Sequence, residues 1–161
     1  MKSTGEVMGI DDSFLSAYIK SQLAAGNELP NHGTVFLSID DDNKKNLVPI
    51  AYKLSSLDFN LLATKGTAEY LKDHKIFVKE IKKVKEGNPN AVDALTRNLI
   101  QLVINTTKTQ GSIRDSYSIR RTSMMFNIPY YTTIAGARVA VDAIEHLKTN
   151  RLVVKSLQSI H

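Results

Sequence analysis

The sequence predicts an α/β protein, a three-layer α/β/α sandwich around a central, mainly parallel sheet of five strands. Short runs of β-branched and apolar residues alternate along the chain with segments whose apolar residues recur at helical spacing. The short runs are apolar on both faces, which is typical of parallel strands covered by helices on two sides. The 161 residues, of which 42% are hydrophobic, suffice for the core of an ordinary domain.

The predicted strands are the runs without helical spacing. They cover residues 34–38, 59–64, 76–81, 99–105 and 128–132. Residues 99–105 (LIQLVIN) form the most continuous apolar run, and Pro129 stands at the start of the fifth strand, where proline is tolerated. Residues 152–157 are either a further strand or a tail.

Helices are predicted between these strands. The first is capped by Asp11 or Asp12 and runs through Phe14 to Leu23. The other helices cover residues 43–57, 67–72, 91–97 and 115–126, and a last one runs from Thr133 or Ala135 to Leu147. A linker with proline and glycine follows the first helix. Residues 1–31 are therefore predicted to be an appendage, and residues 32–161 the main domain.

Polar residues follow four of the predicted strands, at the edge where parallel sheets bind ligands. They are Ser38, the run Thr64-Lys65-Gly66-Thr67, the pair Lys82-Lys83 and the run Asn105-Thr106-Thr107. A Thr-Lys-Gly-Thr turn before a helix offers a phosphate backbone N–H groups, hydroxyls and the positive end of the helix dipole. A plain turn, in which Gly66 bends the chain and Thr67 caps the helix, explains the same residues equally well.

Three charged residues are weaker candidates. Lys83 lies in the lysine-rich stretch 72–85, for which a solvated basic face is the simpler interpretation. Lys44 stands near a predicted helix start, where a cation is mildly unfavourable, but the acidic run at residues 40–42 explains it as well. Asp115 lies at another predicted helix start and can face a ligand, with an exposed charged helix face as the alternative.

The sequence lacks the residues or motifs that several kinds of functional site require. The chain has no cysteine, which excludes disulfides and cysteine-ligated zinc. The four histidines show no ligand spacing and residues 40–42 lack the calcium-loop pattern, so no metal site is predicted. The glycine-rich dinucleotide motif, the P-loop and the nucleophile elbow are absent, so no catalytic residue is predicted.

The surface and the ends of the chain give further expectations. No apolar run has the length of a membrane helix, and the first residues lack the apolar core of a secretory signal, so a cytoplasmic protein without a membrane partner is expected. The net charge of +5 suits an anionic ligand, although solubility alone explains it. Nucleic acid is not an expected partner, because the basic residues lack interleaved stacking aromatics.

Eight short stretches follow one known pattern in order and spacing. They are residues 3–9 (STGEVMG), 36–38 (FLS), 63–68 (ATKGTA), 83–89 (KVKEGNP), 103–107 (VINTT), 115–116 (DS), 119–121 (IRR) and 128–133 (IPYYTT). Together they resemble the C-terminal regulatory domain of the carbamoyl-phosphate synthase large subunit, which has the methylglyoxal-synthase-like fold. The first stretch resembles the end of that family's second ATP-grasp unit, so the chain is expected to be a fragment or an excised domain.

This resemblance implies a regulatory module without chemistry of its own, which binds a nucleoside monophosphate. In bacterial relatives UMP inhibits and IMP activates, in overlapping pockets. The positions that match the phosphate site are Lys44, Thr64, Gly66, Thr67 and Lys83. The positions that match contacts near the phosphate and ribose are Asn105, Thr106 and Thr107. The positions on the nucleoside side are Asp115 and Ile119.

The resemblance also implies a remnant of an ornithine site at the junction with the catalytic part. Tyr130 and Thr132 match that site. Tyr131 departs from it, because ornithine-responsive enterobacterial members commonly have an aspartate there whose carboxylate could meet the amino group of ornithine. The absence of this carboxylate counts against ornithine activation.

The parent protein of this family makes carbamoyl phosphate from bicarbonate, glutamine-derived ammonia and two ATP, for pyrimidine and arginine synthesis. The resemblance therefore implies that ATP and Mg or Mn belong to the parent and that this domain has no cofactor. The implied partners are the ATP-grasp domains of the same subunit, the small glutaminase subunit and other copies of the domain.

Two alternatives share the implied fold. A methylglyoxal-synthase-like lyase would act on dihydroxyacetone phosphate, and the cyclohydrolase half of the purine enzyme also holds phosphate in an equivalent turn. The lyase needs a carboxylate base in a Gly-Gly-Asp context after the third strand, where this sequence has residues 82–87 (KKVKEG), and Asp93 is the nearest aspartate. A third, non-enzymatic alternative is a module that serves only oligomer assembly.

Overall fold

The computed structural model describes residues 6–106, 110–154, 156 and 158, and the side chains of residues 110–115 lie outside the description. Helices and strands alternate along the described chain. In order they are α1 (Phe14–Ala24), β1 (Thr34–Ser38), α2 (Lys44–Ser56), β2 (Asn60–Thr64), α3 (Lys65–Asp73), β3 (Lys79–Ile81), α4 (Ala91–Thr96), β4 (Leu102–Asn105), α5 (Gln110–Met125), β5 (Tyr130–Tyr131) and α6 (Ile134–Thr149).

The five strands form one sheet in the order β3-β2-β1-β4-β5, and every pair of neighbours is parallel. In the centre of the sheet Phe36 of β1 is aligned with Leu62 on one side and with Val103 on the other. The predicted fold class is confirmed. The chain starts in the middle of the sheet and first builds towards β3, then towards β5, so the order reverses between β1 and β4. In open parallel sheets such a point opens a crevice at the carboxyl ends of the strands.

Alternate residues of the strands build two separate cores, because successive side chains of a strand point to opposite faces. On one face Val35 and Leu37 pack in a cluster with residues of α2, α3 and α6, such as Leu47, Leu71 and Val141. On the other face Phe36 packs in a cluster with residues of α4 and α5. These two cores make the three layers that the alternating pattern predicts.

The first helix packs against α6. Ile19 is 1% exposed, and the hydroxyl of Ser16 lies 3.1 Å from Nε2 of His146. The cap differs from the prediction: the N-cap residue of α1 is Ser13, not Asp11 or Asp12, and its hydroxyl accepts a hydrogen bond from the N–H of Ser16 at 3.2 Å. Asp11 instead pairs with Lys20, at 2.6 Å. The division of the chain at residue 31 stays a prediction.

Two helix starts differ from the sequence-based ones, and three strands are shorter than predicted: β3, β4 and β5 begin at residues 79, 102 and 130, two or three residues after their predicted starts. The helix α3 begins at Lys65 and so contains Gly66, which was predicted to lie in the turn. The helix α5 begins at Gln110, five residues before the predicted start, so Asp115 lies in its second turn. One glycine costs a helix only about 1 kcal/mol, which packing readily outweighs. Residues 151–154 have no regular secondary structure.

Within the described residues, no helix combines the length and the apolar character that crossing a lipid bilayer requires.

Candidate functional site

The carboxyl ends of β1, β2 and β4 bring buried polar residues to one edge of the sheet. Six polar residues are buried in the described part of the chain, and four of them follow or end these strands. These four are Thr64, Thr67, Asn105 and Thr106, at 1–6% exposure. Since burying a polar group is unfavourable unless it finds partners, this concentration marks the edge as a built site.

Two threonines hold the loop that follows β1 from both sides. The hydroxyl of Thr67 accepts a hydrogen bond from the backbone N–H of Ile39 at 3.1 Å. The hydroxyl of Thr64 lies 3.4 Å from the hydroxyl of Thr67. The hydroxyl of Thr106 accepts the backbone N–H of Asp40 at 3.0 Å. The first two residues after β1 are therefore tied to α3 and to the residue that follows β4.

The first turn of α3 is not capped by a side chain. Its N-cap residue is Thr64, which makes no side-chain capping hydrogen bond, and Thr67 lies inside the helix. The interpretation of Thr67 as the helix cap is therefore wrong. The first N–H groups of a helix have no intrahelical partner and carry partial positive charge. They are available here to an anion.

Lys44 places its ammonium group against this turn. A Cβ added to Gly66 would lie 3.4 Å from Nζ of Lys44, and no other described atom outside its chain neighbours and the backbone of α3 lies within 4 Å of that position. The Lys44 side chain is only 17% exposed, and its Nζ lies 6.0 Å from the ring centroid of Tyr70. It pairs at 2.6 Å with Asp41, whose side chain is 90% exposed. A fixed cation and an uncapped helix N-terminus thus share one space.

Asn105 presents a buried acceptor at the same edge. Its side-chain nitrogen donates to the hydroxyls of Ser116, at 3.0 Å, and Tyr130, at 2.8 Å. Its side-chain oxygen is buried and has no partner in the described structure. Burial raises the pKa of Tyr130, so its phenol stays neutral at physiological pH. An unpaired buried acceptor is unfavourable, and a ligand that brings a donor would satisfy it.

The remaining predicted residues are spread more widely. Lys83 is exposed at the start of a short turn after β3, and Thr132 is exposed after β5. Ile119 is 4% exposed and packs in the core beneath α5 with Phe36. Thr107 and the side chain of Asp115 lie outside the described residues. The structure thus brings Lys44, Gly66 and the buried polar residues together, and the ligand roles of all the predicted positions stay predictions.

Sequence reasoning assigned no role to two residues that contact or approach the candidate site. Tyr70 follows Gly66 by one helical turn, so the spacing of α3 contained a signal for it. Ser116, which accepts from Asn105, stands next to Asp115 in the quoted DS pair. Asp41, which belongs to the acidic run that the sequence offered as an explanation of Lys44, pairs with it at a distance of three residues.

The fold and the geometry define a class: an α/β protein whose parallel sheet brings buried polar residues and the ammonium group of Lys44 to its carboxyl edge. The chain belongs to the MGS-like domain family, whose model matches residues 46–132.

Curated relatives extend this likeness to the whole chain. The chain is 51% identical over 162 residues to the carbamoyl phosphate synthase large chain, C-terminal section, of Methanopyrus kandleri, which covers 100% of the chain and 30% of the relative. It is 51% identical over 158 residues to the carbamoyl phosphate synthase large chain of Myxococcus xanthus, which covers 98% of the chain and 15% of the relative. The chain therefore spans less than a third of the length of these relatives, and the predicted resemblance is confirmed.

Solved structures show the same fold. Methylglyoxal synthase from Elizabethkingia anophelis superposes with a TM-score of 0.54 over 70% of this chain and 79% of that chain, at 20% sequence identity. At this identity the likeness concerns the fold alone.

Proposed function

We propose that the chain is a regulatory domain that binds a nucleoside monophosphate, UMP or IMP, at the carboxyl edge of its sheet. The observation that carries the proposal is the position of the Lys44 ammonium group at the uncapped start of α3, where it lies 3.4 Å from the point that a Cβ added to Gly66 would occupy. The similarity to carbamoyl phosphate synthase large chains supports a role inside such a protein.

A phosphate fits the charges of this space. The N–H groups of α3 and the ammonium of Lys44 supply positive charge from two directions, and Thr64 supplies a hydroxyl. The present partner of Lys44 is Asp41, whose side chain is 90% exposed. Exposed ion pairs contribute only about 0–1 kcal/mol, so a phosphate with up to two negative charges would displace this carboxylate readily.

A nucleoside would complete the site. The side-chain oxygen of Asn105 only accepts hydrogen bonds, so it cannot bind a fully ionised phosphate, which has no donor. It can accept a hydrogen bond from a hydroxyl group such as those of ribose. Its two neighbours Ser116 and Tyr130 hold the amide in place through the nitrogen. This division of donors and acceptors favours a sugar phosphate over phosphate alone.

The carboxylates near the candidate site favour a regulatory role over a catalytic one. Asp40 accepts both contacts of the Asn43 amide, at 3.0 and 2.9 Å, and Asp41 pairs with Lys44. A general base must reach the proton that it removes, and these carboxylates are engaged by their own loop. We therefore propose no catalytic residue in the chain. Its ligand would act by binding one conformation of an attached catalytic part more tightly than another.

The parent protein would make carbamoyl phosphate from bicarbonate, glutamine-derived ammonia and ATP, for pyrimidine and arginine synthesis. In this proposal the chain works beside the ATP-grasp domains of the same large subunit, with a small glutaminase subunit and further copies of itself, in the cytoplasm. ATP and Mg or Mn would serve the catalytic part, and the domain itself would use no cofactor. Tyr130 and Thr132 would remain from an ornithine site.

Calorimetric titration tests the proposal directly. UMP or IMP should bind with a measurable heat, and inorganic phosphate or uridine alone should bind more weakly, because each fills only one part of the site. Ornithine, titrated in the same way, tests the remnant site. The absence of any heat with millimolar nucleotide would sink the proposal, and release of methylglyoxal from dihydroxyacetone phosphate would favour a lyase instead.

Replacing Gly66 with alanine separates binding from stability. The new methyl group would occupy the space between the first turn of α3 and Lys44, and we expect nucleotide affinity to fall about tenfold, since one charge-assisted contact has about that value. The melting temperature should stay equal or rise, because alanine stabilises a helix relative to glycine by up to about 1 kcal/mol.

Lys65→Ala is the matched control for this change. Lys65 is the exposed neighbour of Gly66 in the same helical turn. The control removes a charge without filling the space, so it should reduce affinity less than Gly66→Ala does. An unchanged affinity in Gly66→Ala would show that the ligand lies elsewhere.

A further inference from the structure

Two adjacent tyrosines on β5 reach in opposite directions. Tyr130 packs against the core beneath α4 and α5, and its hydroxyl accepts a hydrogen bond from the side-chain amide of Asn105 at 2.8 Å. Tyr131 packs against the core beneath α2, α3 and α6, and its hydroxyl lies 3.0 Å from the hydroxyl of Tyr18 in α1. A strand of two residues therefore joins the candidate nucleotide site to the first helix.

The strand β5 is suited to respond to the site. It lies at the edge of the sheet and pairs with β4 alone. A ligand donor on the oxygen of Asn105 would polarise its amide and strengthen the hydrogen bond from its nitrogen to Tyr130, because linked hydrogen bonds reinforce one another. Burial raises the pKa of both Tyr130 and Tyr131, so both phenols remain neutral hydrogen-bonding groups.

The helix α1 in turn holds the segment that precedes it. Lys20 pairs with Asp11 at 2.6 Å and donates to the backbone oxygen of Ile10 at 3.2 Å. Gly9 lies so close to α1 that a methyl group there would collide with the backbone oxygen of Ala17. Residues 9–11 and α1 therefore form one unit, and a shift of α1 moves this segment as well.

We propose that the hydrogen bond between Tyr18 and Tyr131 couples nucleotide binding at Asn105 to the packing of α1 and residues 9–11 on the domain. This inference rests on the proposed function. The two states are α1 held by the tyrosine pair and α1 loosened from it, and the ligand favours the held state through Asn105 and Tyr130. Coupling between two sites is reciprocal, so loss of the tyrosine pair must also weaken nucleotide binding.

Hydrogen exchange of the whole chain, with and without saturating UMP or IMP, tests this coupling. In the unaltered chain the nucleotide should slow exchange of the α1 amides as well as those of the first turn of α3. In Tyr18→Phe the slowing in α1 should disappear while that in α3 persists. Nucleotide affinity should fall about three- to tenfold, the range of one buried hydrogen bond. Tyr131→Phe and the double variant should give the same values as Tyr18→Phe.

Ser16→Ala is the matched control. Ser16 joins α1 to α6 through His146, away from β5, so its loss loosens α1 without touching the tyrosine pair. Exchange of α1 should then be faster without ligand, and the nucleotide should still slow it with unchanged affinity. Nucleotide binding that leaves α1 exchange unaltered, or a Ser16→Ala variant that behaves like Tyr18→Phe, would overturn the coupling alone. No nucleotide binding and no protection in α3 would overturn the proposed function together with it.

Discussion

Lys44→Ala will reduce nucleotide affinity about 10- to 100-fold, which is the usual range for loss of one hydrogen-bonded charge from an anion site. The ammonium of Lys44 is the described side-chain charge that stands against the first turn of α3, and its side chain is only 17% exposed. The helix N–H groups remain in the variant, so residual binding should persist. Calorimetric titration with UMP and IMP measures the loss.

Stability should change little in this variant. The ion-pair partner of Lys44 is Asp41, whose side chain is 90% exposed, so solvent screens the pair and its loss should change the free energy of unfolding by about 0–1 kcal/mol. Lys45→Ala is the control, because Lys45 follows Lys44 in α2, has the same charge and is exposed. Equal affinities in the two variants would show that net charge, and not the position of Lys44, attracts the nucleotide.

Phe36→Ala will destabilise the fold by about 3–5 kcal/mol, the typical cost of deleting a buried aromatic ring. Phe36 is fully buried at the centre of the sheet, where it packs in the cluster of Leu95, Val103 and Ile119. The strands on both sides hold the backbone of β1 in place, so β1 itself cannot shift to fill the space. For a chain of this length, the melting temperature should fall by about 6–20 °C.

Phe77→Ala provides the matched comparison. Phe77 is 79% exposed, so the same deletion removes little buried surface and should change the free energy of unfolding by at most about 0.5 kcal/mol. Thermal and urea denaturation of the two variants measure the difference. Similar melting temperatures for both would contradict the assignment of Phe36 to the centre of the core.

Lys44→Ala and Phe36→Ala separate the loss of nucleotide regulation from the loss of folding. If Lys44 serves a regulatory site, its loss removes the response to nucleotide while the folded domain persists. Regulation of this kind requires a ligand that distinguishes two conformations, and a small anion at a strand edge can do so through the loops and helices that it joins. The loop after β1, which Thr67 and Thr106 hold from both sides, is one such element.

The class of fold and the edge that bears the site could be predicted from the sequence. Alternating strand and helix patterns are local, and strands that are apolar on both faces require a parallel sheet with two covering layers. The polar residues after the strands then had to meet at the carboxyl edge. Helix starts were harder to predict, as α5 shows, because a glycine and polar residues resemble a loop although one glycine costs a helix only about 1 kcal/mol.

What the sequence determined by itself is therefore the parallel sheet and the strand-to-helix turn at Thr64, because both follow from residues close together in the chain. Only the tertiary structure decided that Lys44 faces Gly66, that Asn105 keeps an open oxygen, and that Tyr18 meets Tyr131 across 113 residues. These contacts depend on how helices pack on the two faces of the sheet. A side chain that reaches across elements is positioned by that packing and leaves no periodic signal in the sequence.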